Sequence, residues 1–274
     1  MNNLRILGRN RIEEATSVLA SPSVLATLPE TNLLLPTEHG RVARSTSLAS
    51  QKYTFSWAAD QNCNMIAVSR HNLGVAGTIC GVAYDSYPTV LHDTTPLPAF
   101  STSGLDTELD DDITDIDFEM LKNWVSYFDL VTEMGSLELT LNDPTNPALF
   151  LQLTKPFAGK YFELTYNPGG VEFTMPDSSE GGFAEDKTHI VDRGALHREI
   201  LIQLEAIPNA SDLKTLKGIA RRIGKHGECW LDPYPHNTDA MGIYARGAYR
   251  LMDSPTFNHA QYGNHKNTMK FVGT

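Results

Sequence analysis

The last quarter of the chain, residues 196–272, has the most regular patterning of the sequence and most limits what the chain can fold into. Between residues 198 and 206, Ile200, Ile202 and Leu204 fall on one face and mostly polar residues on the other. A period of two is typical of a strand with one buried side. We therefore expect a strand here that packs on a core.

An amphipathic helix is predicted directly after this strand. Ser211 can cap it, and Gly224 or Gly227 can end it. Its apolar positions recur at steps of three and four: Leu213, Leu216, Ile219, Ala220 and Ile223. Three further strands are predicted, at residues 228–234, 242–252 and 266–272. The terminal unit, residues 196–274, is thus expected to be α+β, with one helix on a small antiparallel sheet.

The region before it, residues 49–180, is predicted to be an antiparallel β-sandwich, so that the chain as a whole is mainly β. Short alternating stretches follow one another at roughly ten-residue spacing with turn residues between them. We expect a hairpin between 160–166 and 171–174, and one short helix at 118–128. The other predicted strands are 53–57, 65–70, 77–84, 136–141 and 149–154.

The first 48 residues are predicted to be an arm with short edge strands. Pro22, Pro29 and Pro36 interrupt it at intervals of seven, and proline removes a backbone donor from any ladder. Such an arm needs a surface to lie on, either another subunit or the chain's own sheet. The polar residues 181–195 are expected to form a linker.

Composition excludes several classes of protein. The chain has 274 residues, a net charge of −11, 41% hydrophobic and 20% charged residues, as in globular proteins. The negative charge argues against specific nucleic-acid binding, and no stretch is apolar enough for a signal peptide or a membrane span. Three cysteines without paired spacing predict free thiols: Cys63, Cys80 and Cys229.

The motifs of catalysis and of cofactor or metal binding do not occur in the sequence. Residues 106–119 contain eight carboxylates, but Asp111 stands where a calcium loop needs glycine, which favours a solvated acidic loop. His226, Cys229 and His236 lie close in sequence, although a zinc site needs a fourth ligand. We expect neither an enzyme, nor a cofactor, nor a metal.

Several short stretches resemble minor tail proteins of long-tailed (siphovirus-type) bacteriophages, of the distal-tail or tail-tip baseplate kind, with a galactose-binding-like jelly roll. In the first part of the chain they are RVARST at 41–46, IAVSRHNL at 66–73 and KYFEL at 160–164. In the terminal unit they are HREI at 197–200, WLDP at 230–233 and IYARG at 243–247. Residues 86–128 have no counterpart in that pattern.

This resemblance implies a structural role in the virion. Identical copies, a hexamer rather than a trimer, would form a ring that joins the tail tube protein to the hub and receptor-binding fibre proteins, after assembly in the host cytoplasm. A ring needs head-to-tail contacts, expected from the terminal unit, and its lumen could let acidic DNA pass without binding it. The residues expected at the contact are Arg198, Trp230, Asp232, Tyr244, Arg246 and Tyr249.

Two other functions remain open. A jelly roll can be a lectin-like module that contacts host surface glycans, in which case exposed aromatic rings would stack on sugar faces. The candidates are Trp57, Tyr84, Tyr87 and Trp124, each of which could equally be a core residue. A polysaccharide hydrolase on a β-sandwich is the third possibility, although no carboxylate pair can be assigned to it from the sequence.

Overall fold

The computed structural model describes residues 3–35, 42–99, 122–176, 180–183, 189–192, 198–207, 210–235, 237, 240–253, 255, 258–261 and 264–273. The chain forms two compact units. Unit 1 comprises Met1–Glu163 and Cys229–Gly247, and unit 2 comprises Leu164–Glu228 and Ala248–Thr274. None of the helices within the described ranges has the length and apolar character needed to cross a membrane.

Strands dominate both units. They are β1 (Arg5–Leu7), β2 (Ser17–Ser21), β3 (Ala43–Arg44), β4 (Gln51–His71), β5 (Thr78–Tyr84), β6 (Val90–Asp93), β7 (Leu97–Pro98), β8 (Asn123–Asn142), β9 (Gln152–Gly159), β10 (Phe162–Glu163), β11 (Gly170–Thr174), β12 (Glu180–Phe183), β13 (His189–Asp192), β14 (Glu199–Ile207), β15 (Glu228–Asp232), β16 (Gly247–Leu251), β17 (Asn258–Gln261) and β18 (Asn264–Gly273). The α-helices are α1 (Ala210–Ile223) and α2 (Ala240–Ala245), and 3-10 helices span Arg11–Glu14 and Glu30–Leu34.

Unit 1 is organised around two long strands, β4 and β8. The sheet runs β3-β9-β4-β8-β5-β6, with β2 also paired to β4 and β7 to β5, and its pairings are antiparallel. The predicted strands 53–57 and 65–70 are both parts of β4, whose register against β8 shifts at two irregularities. Such shifts bend a strand, so one half of β4 pairs with β2 and the other with β9.

The first residues of the chain lie on unit 1 itself. β1 pairs with both β10 and β15, and β2 pairs with β4. Asn10 is buried; its side chain donates to the carbonyl of Pro156 at 3.0 Å and accepts from the backbone N–H of Ala158 at 3.1 Å. The arm could lie either on another subunit or on the chain's own sheet, and its strands β1 and β2 pair with strands of the same chain. There they form hydrogen bonds with backbone groups at strand edges that would otherwise lack a partner.

Unit 2 contains a sheet of order β16-β18-β14-β11, with β17 also paired to β18. The inner residues Ile200 and Ile202 lie opposite Phe271 and Met269. Helix α1 buries Leu213, Leu216, Ala220 and Ile223. Gly224 ends the helix with a left-handed φ of +55°, and its N–H donates to the carbonyl of Ala220 at 2.9 Å.

The predicted fold class, mainly β with antiparallel sheets and one amphipathic helix in the terminal region, is confirmed. The division into two units differs from the predicted segments, because residues 1–48 and most of β15 belong to unit 1. Unit 1 therefore draws on chain segments that are far apart in sequence.

Three local predictions are wrong. Residues 123–128 belong to β8 and not to a helix, because pairing with β4 outweighs a short helical period, while 118–121 lie outside the described residues. The predicted hairpin is absent, since Phe162 pairs with Ile6 of β1 and β11 pairs with β14. The strand predicted at 242–252 begins as helix α2 and becomes extended only at Gly247.

Candidate functional site

A solvent-facing surface of unit 1, here called the polar face, is formed by the outward residues of β4, β8 and β5. Along these strands buried apolar residues alternate with partly exposed ones. The partly exposed residues form three rows across β4, β8 and β5. The first row is Lys52, Thr140 and Cys80, the second is Thr54, Glu138 and Val82, and the third is Ser56, Ser136 and Tyr84. Four serine and threonine side chains and two charged ones therefore share a surface with one aromatic ring at its border.

Glu138 lies at the centre of the polar face. Lys52 Nζ is 3.1 Å from one carboxylate oxygen, and the Tyr84 hydroxyl donates to the other at 3.3 Å. Burial and the neighbouring Glu138 charge raise the pKa of Tyr84, so the phenol keeps its proton as a donor at neutral pH. The side chains of Lys52 and Glu138 remain 43% and 25% exposed, so their remaining donors and acceptors can meet a ligand.

The loop 85–89, between β5 and β6, borders the polar face. Its conformation is held by Asp85, whose Oδ1 accepts from the backbone N–H groups of Tyr87 and Thr89, both at 2.8 Å. Both hydrogen bonds lower the pKa of Asp85, and the one from Thr89 has the larger effect. The loop approaches β8 so closely that a Cβ at Gly135 would lie 2.8 Å from the backbone nitrogen of Ser86.

Of the four aromatic residues predicted to stack on sugars, two are available. Tyr87 is 83% exposed at the tip of loop 85–89, and Tyr84 is partly exposed on the polar face. Trp57 and Trp124 are 8% and 4% exposed and belong to the core of unit 1. The Trp57 indole N–H donates to the carbonyl of Arg11 at 2.7 Å, so that its polar atom is also engaged.

Two of the predicted assembly residues, Asp232 and Arg246, form an ion pair inside unit 1. Arg246 Nε is 2.7 Å from Asp232 Oδ2, and the Tyr127 hydroxyl donates to the same oxygen at 2.6 Å. Asp232 has no exposed surface. Burial and the nearby Asp232 charge raise the pKa of Tyr127 well above its usual value, so this hydroxyl stays protonated.

An arginine that sequence reasoning did not single out completes this cluster. The Arg5 guanidinium lies over the rings of Tyr127 and Tyr161, 4.3 and 4.6 Å from their centroids, and its Nε is 3.0 Å from Glu163 Oε2. These residues come from β1, β8 and the start of β10. No local pattern could have linked them, because they are brought together only by strand pairing.

The other predicted assembly residues are also internal to one unit. Trp230 is fully buried in unit 1, with its ring centroid 5.6 Å from that of Phe157. Tyr244 is partly buried against a hydrophobic cluster of unit 1 that includes Ile243. In unit 2 the Arg198 guanidinium lies 5.3 Å from the ring centroid of Tyr249, which is fully buried. Tyr244 and Arg246 keep part of their surface exposed, whereas Arg198 and the rings of Trp230 and Tyr249 are buried.

A serine and a histidine also meet in unit 1. His92 Nε2 is 3.1 Å from Ser126 Oγ, and the imidazole stacks on Phe128 at 3.9 Å between ring centroids. Partial burial lowers the pKa of His92. Among the residues that the structure describes, no carboxylate is hydrogen-bonded to this histidine, so the orienting member of a catalytic triad is missing from this part of the chain.

The two metal hypotheses lie partly or wholly outside the described residues. His236 is not described, nor are residues 106–119. In the rest of the chain as described, no three His, Cys, Asp or Glu side chains gather as a metal site would require. The three cysteines, Cys63, Cys80 and Cys229, all lie in the described part of the chain and form no disulfide there.

Comparison with known proteins finds no matching family model and no matching curated protein. Solved structures with some similarity include the lectin domain of lectinolysin complexed with Lewis B antigen (9% identity, TM-score 0.39, 55% of this chain and 96% of that one). A Streptococcus pneumoniae fucose binding module has 10% identity and a TM-score of 0.38, over 55% and 94% of the two chains. A family 32 carbohydrate-binding module from C. perfringens in complex with galactose has 10% identity and a TM-score of 0.37, over 58% and 99%. At these values the function has to be argued from the residues of this chain.

Proposed function

We propose that unit 1 is a lectin-like module that binds carbohydrate on its polar face. The observation that carries this proposal is the array of Lys52, Glu138 and Tyr84, together with the exposed ring of Tyr87 in the loop that follows β5. Sugars present both hydroxyl groups and an apolar face. Charged and hydroxyl side chains supply strong directional hydrogen bonds, and an exposed tyrosine supplies a rigid ring to stack on.

The test is a glycan array probed with the full-length protein and with Tyr87→Ala and Glu138→Gln variants. We expect wild type to retain particular glycans and each variant to bind them at least about tenfold more weakly, a loss of about 1.4 kcal/mol. Tyr166→Ala and Glu172→Gln are matched controls, since both residues are exposed in unit 2. Absence of any retained glycan, or equal binding by all four variants, would contradict the proposal.

A second candidate function is the structural role in a phage tail tip. It is supported by the sequence resemblance, together with a terminal region in which one amphipathic helix, α1, packs beside an antiparallel sheet as that resemblance implies. In this role copies of the chain would assemble head-to-tail. Mass determination and negative-stain images of the purified protein test it. A closed ring supports the structural role, and a monomer at all attainable concentrations counts against it.

A further inference from the structure

Helix α1 carries a basic surface in an otherwise acidic chain. Five of the 22 lysines and arginines lie between residues 214 and 225, whereas the net charge of the chain is −11. At 100° per residue Lys214, Lys217, Arg221 and Arg222 fall outside the buried apolar stripe of the helix, and Lys225 follows shortly after its end. They form the basic face of α1 and are all exposed: Lys214, Lys217, Arg221, Arg222 and Lys225.

Three acidic side chains that the structure describes in unit 2 do little to neutralise this face. Asp212 is buried and accepts from the backbone N–H of Thr165 at 3.1 Å. Asp253 is 3.9 Å from Lys225, but the two side chains are 76% and 58% exposed, so this pair is weak. Glu228 is directed to Arg250 at 3.9 Å. None of these three carboxylates pairs with Lys214, Arg221 or Arg222, which are exposed to solvent.

The chain contains one segment of complementary charge and sufficient length. Residues 106–119, which lie outside the described residues, contain eight carboxylates, and no lysine or arginine occurs between 101 and 121. Extended, fourteen residues reach up to about 45 Å, while the fourteen residues of α1 are about 21 Å long. The segment can thus follow the whole helix, and the basic face would relieve the mutual repulsion of its carboxylates.

We infer that the basic face of α1 is a self-association surface that binds the acidic segment 106–119 of a second copy of this chain. The contact joins two different surfaces, so it is head-to-tail and leads to a closed ring or a filament. It is electrostatic and exposed, so salt must weaken it strongly: the screening length falls from about 10 Å at 0.1 M to about 3 Å at 1 M. The inference does not depend on carbohydrate binding by unit 1.

A charge exchange tests this inference. The first variant is Lys214→Glu with Arg221→Glu and Arg222→Glu, and the second is Asp110→Lys with Asp111→Lys and Asp112→Lys. We expect wild type to self-associate at about 50 mM salt and to dissociate at about 500 mM, as followed by sedimentation velocity. Each variant alone should self-associate at least about tenfold more weakly. An equimolar mixture of the two variants should recover the assembly, because each then offers the charge that the other lacks.

Controls separate this outcome from misfolding and from other polyanions. Lys160→Glu alters an exposed lysine of unit 1 and should assemble as wild type does, and circular dichroism should show all variants folded. A wild-type protein that stays monomeric at low salt, or variant mixtures that stay dissociated, would overturn the inference. The inference would also be overturned if the variant of Lys214, Arg221 and Arg222 assembled normally but lost affinity for a DNA duplex, since the basic face would then bind a nucleic acid. Glycan retention should be the same for wild type and both variants.

Discussion

Asp232 is enclosed in unit 1, and its charge is compensated by a specific set of neighbours. Arg246 provides an ion pair at 2.7 Å and Tyr127 a hydrogen bond at 2.6 Å. In a buried ion pair the cost of removing both charges from water is recovered only while both partners are present. Asp232 and Arg246, two of the six residues expected at contacts between copies, are thus engaged with each other within one copy.

Replacement of Asp232 should be strongly destabilising. Asp232→Asn leaves the largely buried Arg246 without its counter-ion, and we expect unfolding free energy to fall by about 3–5 kcal/mol. Tyr127→Phe removes only one hydrogen bond to the carboxylate and should cost about 1–2 kcal/mol. Urea unfolding followed by tryptophan fluorescence measures both. Equal, small losses for the two variants would show that the ion pair contributes little.

His71 should make stability depend on pH. It is buried, the N–H of Leu73 donates to its Nδ1 at 3.3 Å, and its Nε2 lies 3.1 Å from the carbonyl of Ala99. Burial, with a smaller contribution from Lys122, lowers the pKa of His71 from 6.5 to about 4. The unfolded chain therefore takes up a proton on this histidine at a higher pH than the folded chain does. The stability that is present above pH 6.5 is lost progressively as the pH falls to about 4, by up to about 3 kcal/mol.

The measurement is unfolding free energy at a series of pH values for wild type, His71→Gln and His226→Gln. His71→Gln should have a smaller slope than wild type between pH 6.5 and 4, and His226→Gln is the control for replacing a histidine at an exposed position. Carboxylates add a slope of their own, but it is common to all three proteins. Identical slopes for wild type and His71→Gln would refute the assignment.

At the scale of single elements, helix α1 and the position directly after it contain two glycines with opposite requirements. Gly218 is exposed within the helix, and a Cβ there would meet nothing within 4 Å. Gly224 adopts a φ of +55°, a conformation that side chains with a Cβ adopt only at a cost. The first is a weakness of the helix and the second a requirement for ending it.

Alanine substitutions should distinguish these two glycines. Gly218→Ala should stabilise the protein by about 0.5–1 kcal/mol, because alanine loses less backbone entropy in a helix. Gly224→Ala should destabilise it by about 1 kcal/mol, since the left-handed end of the helix is then strained. Thermal unfolding of both variants tests the pair. A loss of stability with Gly218→Ala would indicate that this helix position is constrained by something other than propensity.

At the scale of the whole molecule, unit 1 draws on the beginning, the middle and a late part of the chain. β1 pairs with β10 on one side and with β15 on the other, and Ile6, Leu7, Ile12 and Val18 are all buried. Burial of such side chains stabilises a domain by about 1.5–3 kcal/mol each. The first 21 residues are therefore part of the folding unit, with or without a partner.

Removal of residues 2–21 should prevent unit 1 from folding. The loss of four buried apolar side chains amounts to about 6–12 kcal/mol, which is comparable with the 5–15 kcal/mol by which ordinary domains are stable. Limited proteolysis and thermal unfolding of the shortened chain should show rapid cleavage and no cooperative transition for unit 1. A shortened chain that unfolds as cooperatively as the full one would mean that the arm is dispensable.

The sequence by itself determined the mainly β class, the strand β14, the helix α1 and its glycine stop, because these depend on periodicities and turn residues that act over a few neighbours. It also placed Tyr84 and Tyr87 among the candidates. Only tertiary structure decided that Trp57 and Trp124 are buried, that residues 123–128 extend β8, and that Lys52, Glu138 and Tyr84 form one surface. These outcomes depend on pairing between strands as far apart as β4 and β8, and hydrogen bonds across a sheet outweigh the weak local preferences of the residues they join.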